Sequence, residues 1–545
     1  MMEVKMKSKR LSPANALRRF GFKQALKGAL IVGILAGFMG GLQEYAYTTS
    51  YPDPISRAQF KTTLEAAPAL GIIYGDPSDL PSPAGYMAYR SGMFLTMIAS
   101  IWGLMTVTRL LRGQEEDGRW ELIAAGGTTS KGASLQVFTG FMTALTLAFV
   151  ISAIAMTGTG LLHDVGAPST AGLFLSLAVF APAAMFAALG FLVSQLSITR
   201  RRALVYGLVP LLFFFVLRTL GNTIPDLSWL KNYTPFGWLE LMKPTTDPHL
   251  VWLLPFFIIS VILVPFGAYL ITRRDLGEGT LKESTTAKPH YQLLSSPFVL
   301  ALRQNSISFI SWGVGALFLS ALMAQISSIA ASAVADSPSL KRVVAQLGGS
   351  DNIALAFIGA GFIFLVVILL LMATSSMGSV RNSEAKNILD NILVQPVRRS
   401  SWLIGRLTLI ISATVIISLL AMTATWAMAS AQHLSVEFGT LLAIGIALTG
   451  TVLLTIGLGT LLYGLVPRFA TIGMYAVIIW SFLIDMIGSV VKLNDFVTNS
   501  SLFHYISISP TTAPDWKTFI WLAVISVTMM AAGIIIFTKR DIISE

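Results

Sequence analysis

Long hydrophobic runs of roughly twenty residues alternate with short polar segments along the whole chain, and a run of this length lets an α-helix cross a bilayer. The period-two alternation that is typical of membrane β-barrels does not occur. The pattern therefore predicts an all-α integral membrane protein with about twelve transmembrane helices. The predicted spans are 28–47, 88–108, 136–162, 170–194, 203–220, 250–271, 307–327, 353–375, 402–429, 437–464, 470–491 and 517–537.

Composition and charge agree with lipid as the main solvent. Of the 545 residues 54% are hydrophobic, more than a water-soluble chain of this length could bury. If both termini and every second loop face the cytoplasm, 28 of the 38 Lys and Arg residues lie in cytoplasmic segments. This asymmetry follows the positive-inside rule, so the net charge of +11 reflects topology and indicates no nucleic-acid partner. We expect a multi-pass protein of the cytoplasmic membrane with cytoplasmic N- and C-termini.

Short matches recur once in each half of the chain, in the same order and at similar spacing. They are LSPANALRRFG (11–21) with SSPFVLALRQN (295–305), PTTDP (244–248) with PTTAP (510–514), and TRRDL (272–276) with TKRDI (538–542). Six spans in each half bring both halves into the membrane from the same side, which predicts two parallel six-helix repeats. The predicted boundaries are a first half at 1–275, a polar cytoplasmic linker at 276–292 and a second half at 293–545.

A densely charged stretch follows the second span of each half. RGQEEDGRWELIAAGGTTSKG (112–132) in the first half corresponds to SVRNSEAKNILDNILVQPVRRSSW (379–402) in the second. Each predicts a short amphipathic helix, at 114–125 and 383–395. In the first, Glu115 and Arg119 stand four residues apart in the favourable order, and Gly126 and Gly127 end the helix.

In the second copy, Asn382 or Ser383 is placed to cap the helix and Pro396 to stop it. One interpretation is a solvated helix that anchors at the lipid headgroups. The occurrence of two copies at matched positions favours a docking surface for a cytosolic partner. The candidate docking residues are Glu115, Glu116, Arg119, Trp120, Glu121, Glu384, Lys386 and Asp390.

The stretch QEEDGRWELIAAGGTTSKGA resembles the cytoplasmic motif of ABC-2 type export permeases, especially the double-length forms linked to tetronasin and other polyketide-antibiotic export. The outer-loop text SYPDPISRAQF and IYGDPSDLPSPAGYMAYRSG is also similar to that group. The resemblance covers essentially the whole chain and implies an ABC-2 type transmembrane domain fused as a pseudo-dimer. It implies elbow helices at about 12–23 and 296–305, coupling helices in the two charged stretches, and short re-entrant helices such as 229–244.

The same resemblance implies the membrane-spanning permease subunit of an ATP-binding-cassette exporter that moves amphiphilic antibiotics, drugs or lipid-like compounds. The chain has no GxxxxGK[ST] motif, and GGTTSKG (126–132) has its glycines and lysine in the wrong order for a phosphate loop. We therefore expect ATP and Mg²⁺ to be bound by a separate ABC ATPase subunit, as two copies or a related pair. The chain contains no Cys and only five scattered His, so we predict no thiol chemistry and no metal site. As a transport subunit without an ATPase motif of its own, it is expected to have no enzymatic activity and no catalytic or cofactor-binding residue.

Four ionisable residues stand at or near the outer ends of predicted spans. Arg218 and Asp485 lie at corresponding positions of the two fifth spans. Glu44 and Arg90 lie at the outer ends of the first and second spans. Each pair suggests an outer latch closed by opposite charges. The alternative is that each side chain extends separately to the outer headgroups.

Two other classes of protein fit parts of the pattern. A proton-coupled secondary transporter also has twelve spans in two parallel halves, but the Glu-rich helix replaces its usual charged loop, and no proton-relay carboxylate stands mid-span. A polytopic lipid-linked glycosyltransferase would use acidic residues of the first outer loop, where the aspartates are better explained as turn residues. The exporter permease is the favoured reading.

Overall fold

The computed structural model of the protein describes residues 12–65, 74–75, 80–124, 128–162, 170–281, 296–335, 353–385, 388–488, 494–506 and 510–541. Every regular element within these residues is a helix. The α-helices are α1 (Pro13–Ser50), α2 (Pro54–Glu65), α3 (Pro83–Glu116), α4 (Trp120–Ala124), α5 (Ser130–Leu162), α6 (Ala171–Leu196), α7 (Arg200–Thr223), α8 (Pro235–Leu241), α9 (Leu254–Ile271), α10 (Pro297–Ala335), α11 (Ile353–Ala385), α12 (Ile388–Leu393), α13 (Arg399–Ala431), α14 (Phe438–Leu465), α15 (Pro467–Gly488), α16 (Asp495–Asn499) and α17 (Trp516–Lys539).

Eleven helices of the described chain are long and apolar enough to cross a membrane. They coincide with eleven of the predicted spans. The remaining predicted span, 470–491, falls on α15, and its last residues lie outside the described part. The prediction of an all-α integral membrane protein is confirmed.

The helices form two compact units, Met1–Ala287 and Lys288–Glu545. In the first unit α1 packs on α5, α3 on α6 and α6 on α9; in the second unit α10 packs on α13, α11 on α14 and α14 on α17. The first spanning helix of each unit thus lies against the third, the second against the fourth, and the fourth against the sixth. Corresponding segments of the sequence repeat therefore occupy corresponding places within each unit.

The elbow helices predicted at 12–23 and 296–305 are not separate elements. α1 begins at Pro13, where Ser12 caps it through a hydrogen bond from the backbone N–H of Asn15, and it continues without a break to Ser50. α10 likewise runs unbroken from Pro297 to Ala335. No proline interrupts either helix after its first position, so nothing in the sequence separates an elbow from the span that follows.

Glycines allow α1 and α5 to approach so closely that backbone meets backbone. A Cβ atom at Gly140 of α5 would collide with the carbonyl oxygen of Arg18, and one at Gly33 of α1 would lie 2.8 Å from the carbonyl oxygen of Ala148. In lipid no hydrophobic effect drives helices together, so van der Waals contact between small residues supplies much of their association. The contact of α1 with α5 depends on these hydrogen-sized side chains.

We predict that Gly140→Ala destabilises the first unit, because the new methyl group must push α1 away from α5. Overpacking of this kind costs about 1–3 kcal/mol. The melting temperature of the detergent-solubilised protein, measured by size-exclusion chromatography after heating, should fall by several degrees.

Gly158→Ala is the matched control, since it lies on the same helix and a Cβ there meets no atom within 4 Å. That variant should melt at or slightly above the wild-type temperature, because Ala favours helix more than Gly does. Equal melting temperatures for the two variants would contradict the packing argument.

Candidate functional site

The charged segment of the first unit is not the continuous helix predicted at 114–125. α3 widens into a π-helical turn at Arg109–Gly113 and ends at Glu116; the chain then turns at Asp117 and Gly118, and α4 follows. Gly118 has a φ of 69°, a left-handed conformation that favours glycine, and this turn breaks the helix. The expected helix end at Gly126 and Gly127 lies outside the described residues.

Glu115 does not pair with Arg119 as the spacing suggested. Its two carboxylate oxygens accept hydrogen bonds from the two terminal nitrogens of Arg274, at 2.6 and 2.8 Å. The backbone N–H of Gly277 donates to the same carboxylate at 2.7 Å, and Arg112 lies 3.2 Å away. The Glu115 side chain is only 6% exposed, so its charge is paired inside the protein and is not available to a partner.

The second unit contains the same arrangement. Both terminal nitrogens of Arg540 donate to the two oxygens of Glu384, again at 2.6 and 2.8 Å, and the Glu384 side chain is 0% exposed. The Arg540 guanidinium lies over the rings of Tyr463 and Phe537, at 5.2 Å from each centroid. These rings hold the planar group in place from its faces while the carboxylate holds it from its edge.

The helix predicted at 383–395 is also wrong in its start. Asn382 and Ser383 cap nothing, because they lie inside α11, which continues to Ala385. Glu384 therefore belongs to the last turn of the second span. The separate short helix is α12, whose inner face carries the fully buried Leu389. Lys386 lies outside the described residues.

We call the pair Glu115–Arg274, and its counterpart Glu384–Arg540, the carboxylate clamp. In each unit the clamp joins the end of the second spanning helix to the chain just after the sixth. The sequence repeat places Glu115 opposite Glu384, at an offset of 269, and TRRDL opposite TKRDI, but it does not bring these motifs together. The repetition of both at nearly the same offset was the signal that could have identified Arg274 and Arg540.

In the first unit the clamp also holds the fourth span. Arg274 donates to the side-chain oxygen of Gln195 at 2.8 Å. Arg112, which is almost fully buried, donates to the carbonyl oxygens of Ser194 and Glu278 at 2.9 and 3.0 Å. Buried charges are costly unless every group is paired, so this network fixes geometry more than it adds stability.

Beyond the clamp, one of the described candidate docking residues is buried and the others are exposed. We call the exposed residues of each segment its tip. Trp120 is buried, whereas Glu116, Arg119 and Glu121 are exposed, and so is Asp390 in the second unit. An apolar side chain stands out to solvent in each copy: Leu122 is 80% exposed and Val394 is 83% exposed. Each segment is therefore held by its inner face and presents a mixed charged and apolar outer face.

The residues proposed as outer latches have other neighbours within the described part. Arg218 is buried and forms an ion pair with Glu240, to which Asn222 also donates at 3.0 Å. The side chain of Asp485 lies outside the described residues, so its pairing with Arg218 stays a prediction.

Glu44 is buried, and Arg90 packs over the ring of Tyr74, 4.6 Å from its centroid. The ion pairs of the described chain do not join Glu44 to Arg90.

Short helices occupy the segment between the fifth and sixth spans of each unit. In the first, the 3₁₀ helix Pro225–Tyr233 precedes α8, where Phe236 and Leu239 are buried. Glu240 on α8 and Tyr89 on α3 line a cavity of 340 Å³. Among the described residues no three His, Asp or Glu side chains are grouped in a way that could hold a metal ion.

We predict that Glu384→Gln destabilises the second unit strongly, because it removes the counter-charge of Arg540, whose side chain is only 14% exposed. Removing one member of a buried pair costs about 3–5 kcal/mol. The double variant Glu384→Gln with Arg540→Gln should recover part of the lost thermal stability, because the charge of Arg540 is removed together with that of Glu384.

Asp390→Asn is the control for this test, since Asp390 carries the same charge on the exposed face of the segment. It should leave the melting temperature unchanged. If Glu384→Gln melted like Asp390→Asn, the clamp would not be a structural element of the unit.

Comparison with known proteins agrees with this architecture. Residues 80–270 and 294–538 match the family described as multidrug efflux system permease Rv1217c, C-terminal domain. The multidrug efflux system permease protein Rv1217c of Mycobacterium tuberculosis is 26% identical over 502 residues, which are 91% of this chain and 88% of that protein. The resemblance to ABC-2 type exporter permeases is thereby confirmed, although nothing tests the link to tetronasin. The chain belongs to the Rv1217c family of multidrug efflux permeases.

Proposed function

We propose that this chain is the membrane-spanning subunit of an ATP-driven exporter and that a separate ABC ATPase docks on its two charged segments. The observation that carries the proposal is the carboxylate clamp, present with the same geometry in both units. A segment clamped to the ends of two spanning helices transmits a push to those helices instead of yielding locally. This is the mechanical property that coupling to an ATPase requires.

The exposed tips have the chemistry of a protein interface. Leu122 in the first unit and Val394 in the second stand out to solvent among charged neighbours. An exposed apolar side chain beside charged ones offers a partner both van der Waals contact and charges to pair with. The ATPase then binds ATP and Mg²⁺, while this chain contributes no cofactor site. Two tips per chain call for two ATPase domains, from two copies of one subunit or a related pair.

The transported compounds are proposed to be amphiphilic drugs, antibiotics or lipid-like molecules. The matched family and its mycobacterial member are named for multidrug efflux, and the chain covers most of that protein. We further propose that the chain lies in the plasma membrane with both termini in the cytoplasm, as the distribution of Lys and Arg favours.

We predict that reversing the tip charges of the first unit with Arg119→Glu and Glu121→Lys lowers the amount of ATPase in the complex to what the second tip retains. These side chains are exposed, so the substitution changes the surface and leaves the clamp intact. The measurement is affinity purification of the tagged chain from its host in mild detergent, followed by identification of ATP-binding proteins that co-purify.

The control is Lys131→Glu, an exposed charge reversal at the start of α5, which should retain the ATPase. A wild-type chain that repeatedly purifies alone and moves substrate in vesicles driven only by a proton gradient would refute the proposal. That result would favour a secondary transporter.

A further inference from the structure

A cleft of 680 Å³ opens in the first unit between α1, α3 and the start of α7. It lies toward the end of α3 that carries the clamp. Its lining has two zones. The basic zone consists of Lys23, Lys27, Arg109 and Arg200, and the apolar zone consists of Ile98, Ile101, Trp102 and Met105.

Packing fixes the apolar wall of the cleft. Gly28 of α1 lies directly against the indole nitrogen of Trp102, and a Cβ atom at this position would collide with it. On its other side Trp102 packs against Phe141 of α5, with ring centroids 5.3 Å apart. The indole therefore contacts both α1 and α5, and these two contacts limit its movement.

The basic zone carries positive charge that the described residues do not neutralise. None of its four cations takes part in the ion pairs of the described chain. Arg109 donates to the neutral carbonyl oxygen of Gln24 at 3.0 Å, and it lies close enough to Arg200 to repel it. The Nε atom of Arg200 is buried without a hydrogen-bond partner among the described residues.

Some negative charge does stand near Arg200. Glu116 accepts a hydrogen bond from its backbone N–H at 2.8 Å, and Asp117 is close. Both residues approach from the exposed tip, and neither lines the cleft. Lys23, Lys27 and Arg109 take part in no ion pair within the part of the chain that the structure describes.

Three of the four basic residues are peculiar to the first half of the chain. At the offset of 284 between the two helix starts, Lys23 and Lys27 correspond to Ile307 and Ser311, and at the offset of 269 between the two charged segments, Arg109 corresponds to Gly378. The positive-inside rule gives most weight to the first span and accounts for basic residues beside it, but it does not account for the placement of Lys23, Lys27, Arg109 and Arg200 around one apolar-walled cleft. The set instead indicates a ligand.

We propose that this cleft binds an anionic phospholipid, with its phosphate-bearing headgroup on the basic zone and an acyl chain along the apolar zone. Basic pockets between spanning helices recognise anionic headgroups in this way. Arginine forks and lysine ammonium groups both suit phosphate oxygens. A soluble phosphate compound without an acyl chain would make no contact with the adjoining apolar wall. The bound lipid would tie α1, α3 and α7 together beside Glu116, next to the exposed tip.

The experiment uses the full chain in nanodiscs of phosphatidylcholine with increasing phosphatidylglycerol, and native mass spectrometry counts the bound phosphatidylglycerol. The variant Lys23→Gln with Arg109→Gln should bind it at least tenfold more weakly, since each basic residue contributes roughly fivefold. The matched control Lys131→Gln with Arg201→Gln removes two exposed cations outside the cleft and should bind it like wild type. This readout needs no ATPase, so its failure and that of the proposed function are distinguishable.

Trp102 offers a second readout that does not require the basic residues to be altered. Phosphatidylglycerol with brominated acyl chains should quench a component of the tryptophan fluorescence that is absent from Trp102→Phe. Equal binding by the two double variants would overturn the proposal. Equal affinity for phosphatidylcholine, or displacement of phosphatidylglycerol by glycerol phosphate at similar concentration, would overturn it as well.

Discussion

A carboxylate and a guanidinium, paired through two parallel hydrogen bonds and removed from water, determine the geometry of each unit at one end. In Glu115–Arg274 and Glu384–Arg540 the fork has the same two distances, although only short motifs of the two halves match. A buried pair tolerates no loss of either partner, because the charge left behind would be unsolvated. It therefore holds the second and sixth spans at a defined separation, and the charged segment leaves the membrane from that point.

The two clamps differ in what surrounds them. In the first unit Arg112 and Gln195 extend the network to the fourth span, and Gly277 adds a backbone donor. In the second unit the aromatic rings of Tyr463 and Phe537 pack over the arginine. Polar support in one unit and aromatic support in the other achieve the same constraint. This asymmetry extends to the basic cleft, because Lys23, Lys27 and Arg109 have no basic counterparts in the second half.

The clamp also shows that much of the charge in the charged segments is internal. A high density of charge between two apolar runs suggested a surface, yet the most strongly constrained charges are internal. What remains outside is small: a few charged side chains around Leu122 in one unit and Val394 in the other. A docking surface with a rigid base and a narrow tip suits the transmission of force, because contact with a partner moves whole helices.

The sequence by itself determined the membrane class and the positions of the spans, because hydrophobic runs long enough for a bilayer have no other stable solution. It also revealed the repeat, from which the equivalence of Glu115 and Glu384 followed. Only the tertiary structure decided which charges are partners. Arg119 stands four residues from Glu115, but the turn at Gly118 separates them, and the partner Arg274 lies just after the sixth span, 159 residues along the chain. Local spacing carries no information about such contacts, since they depend on how the spans pack.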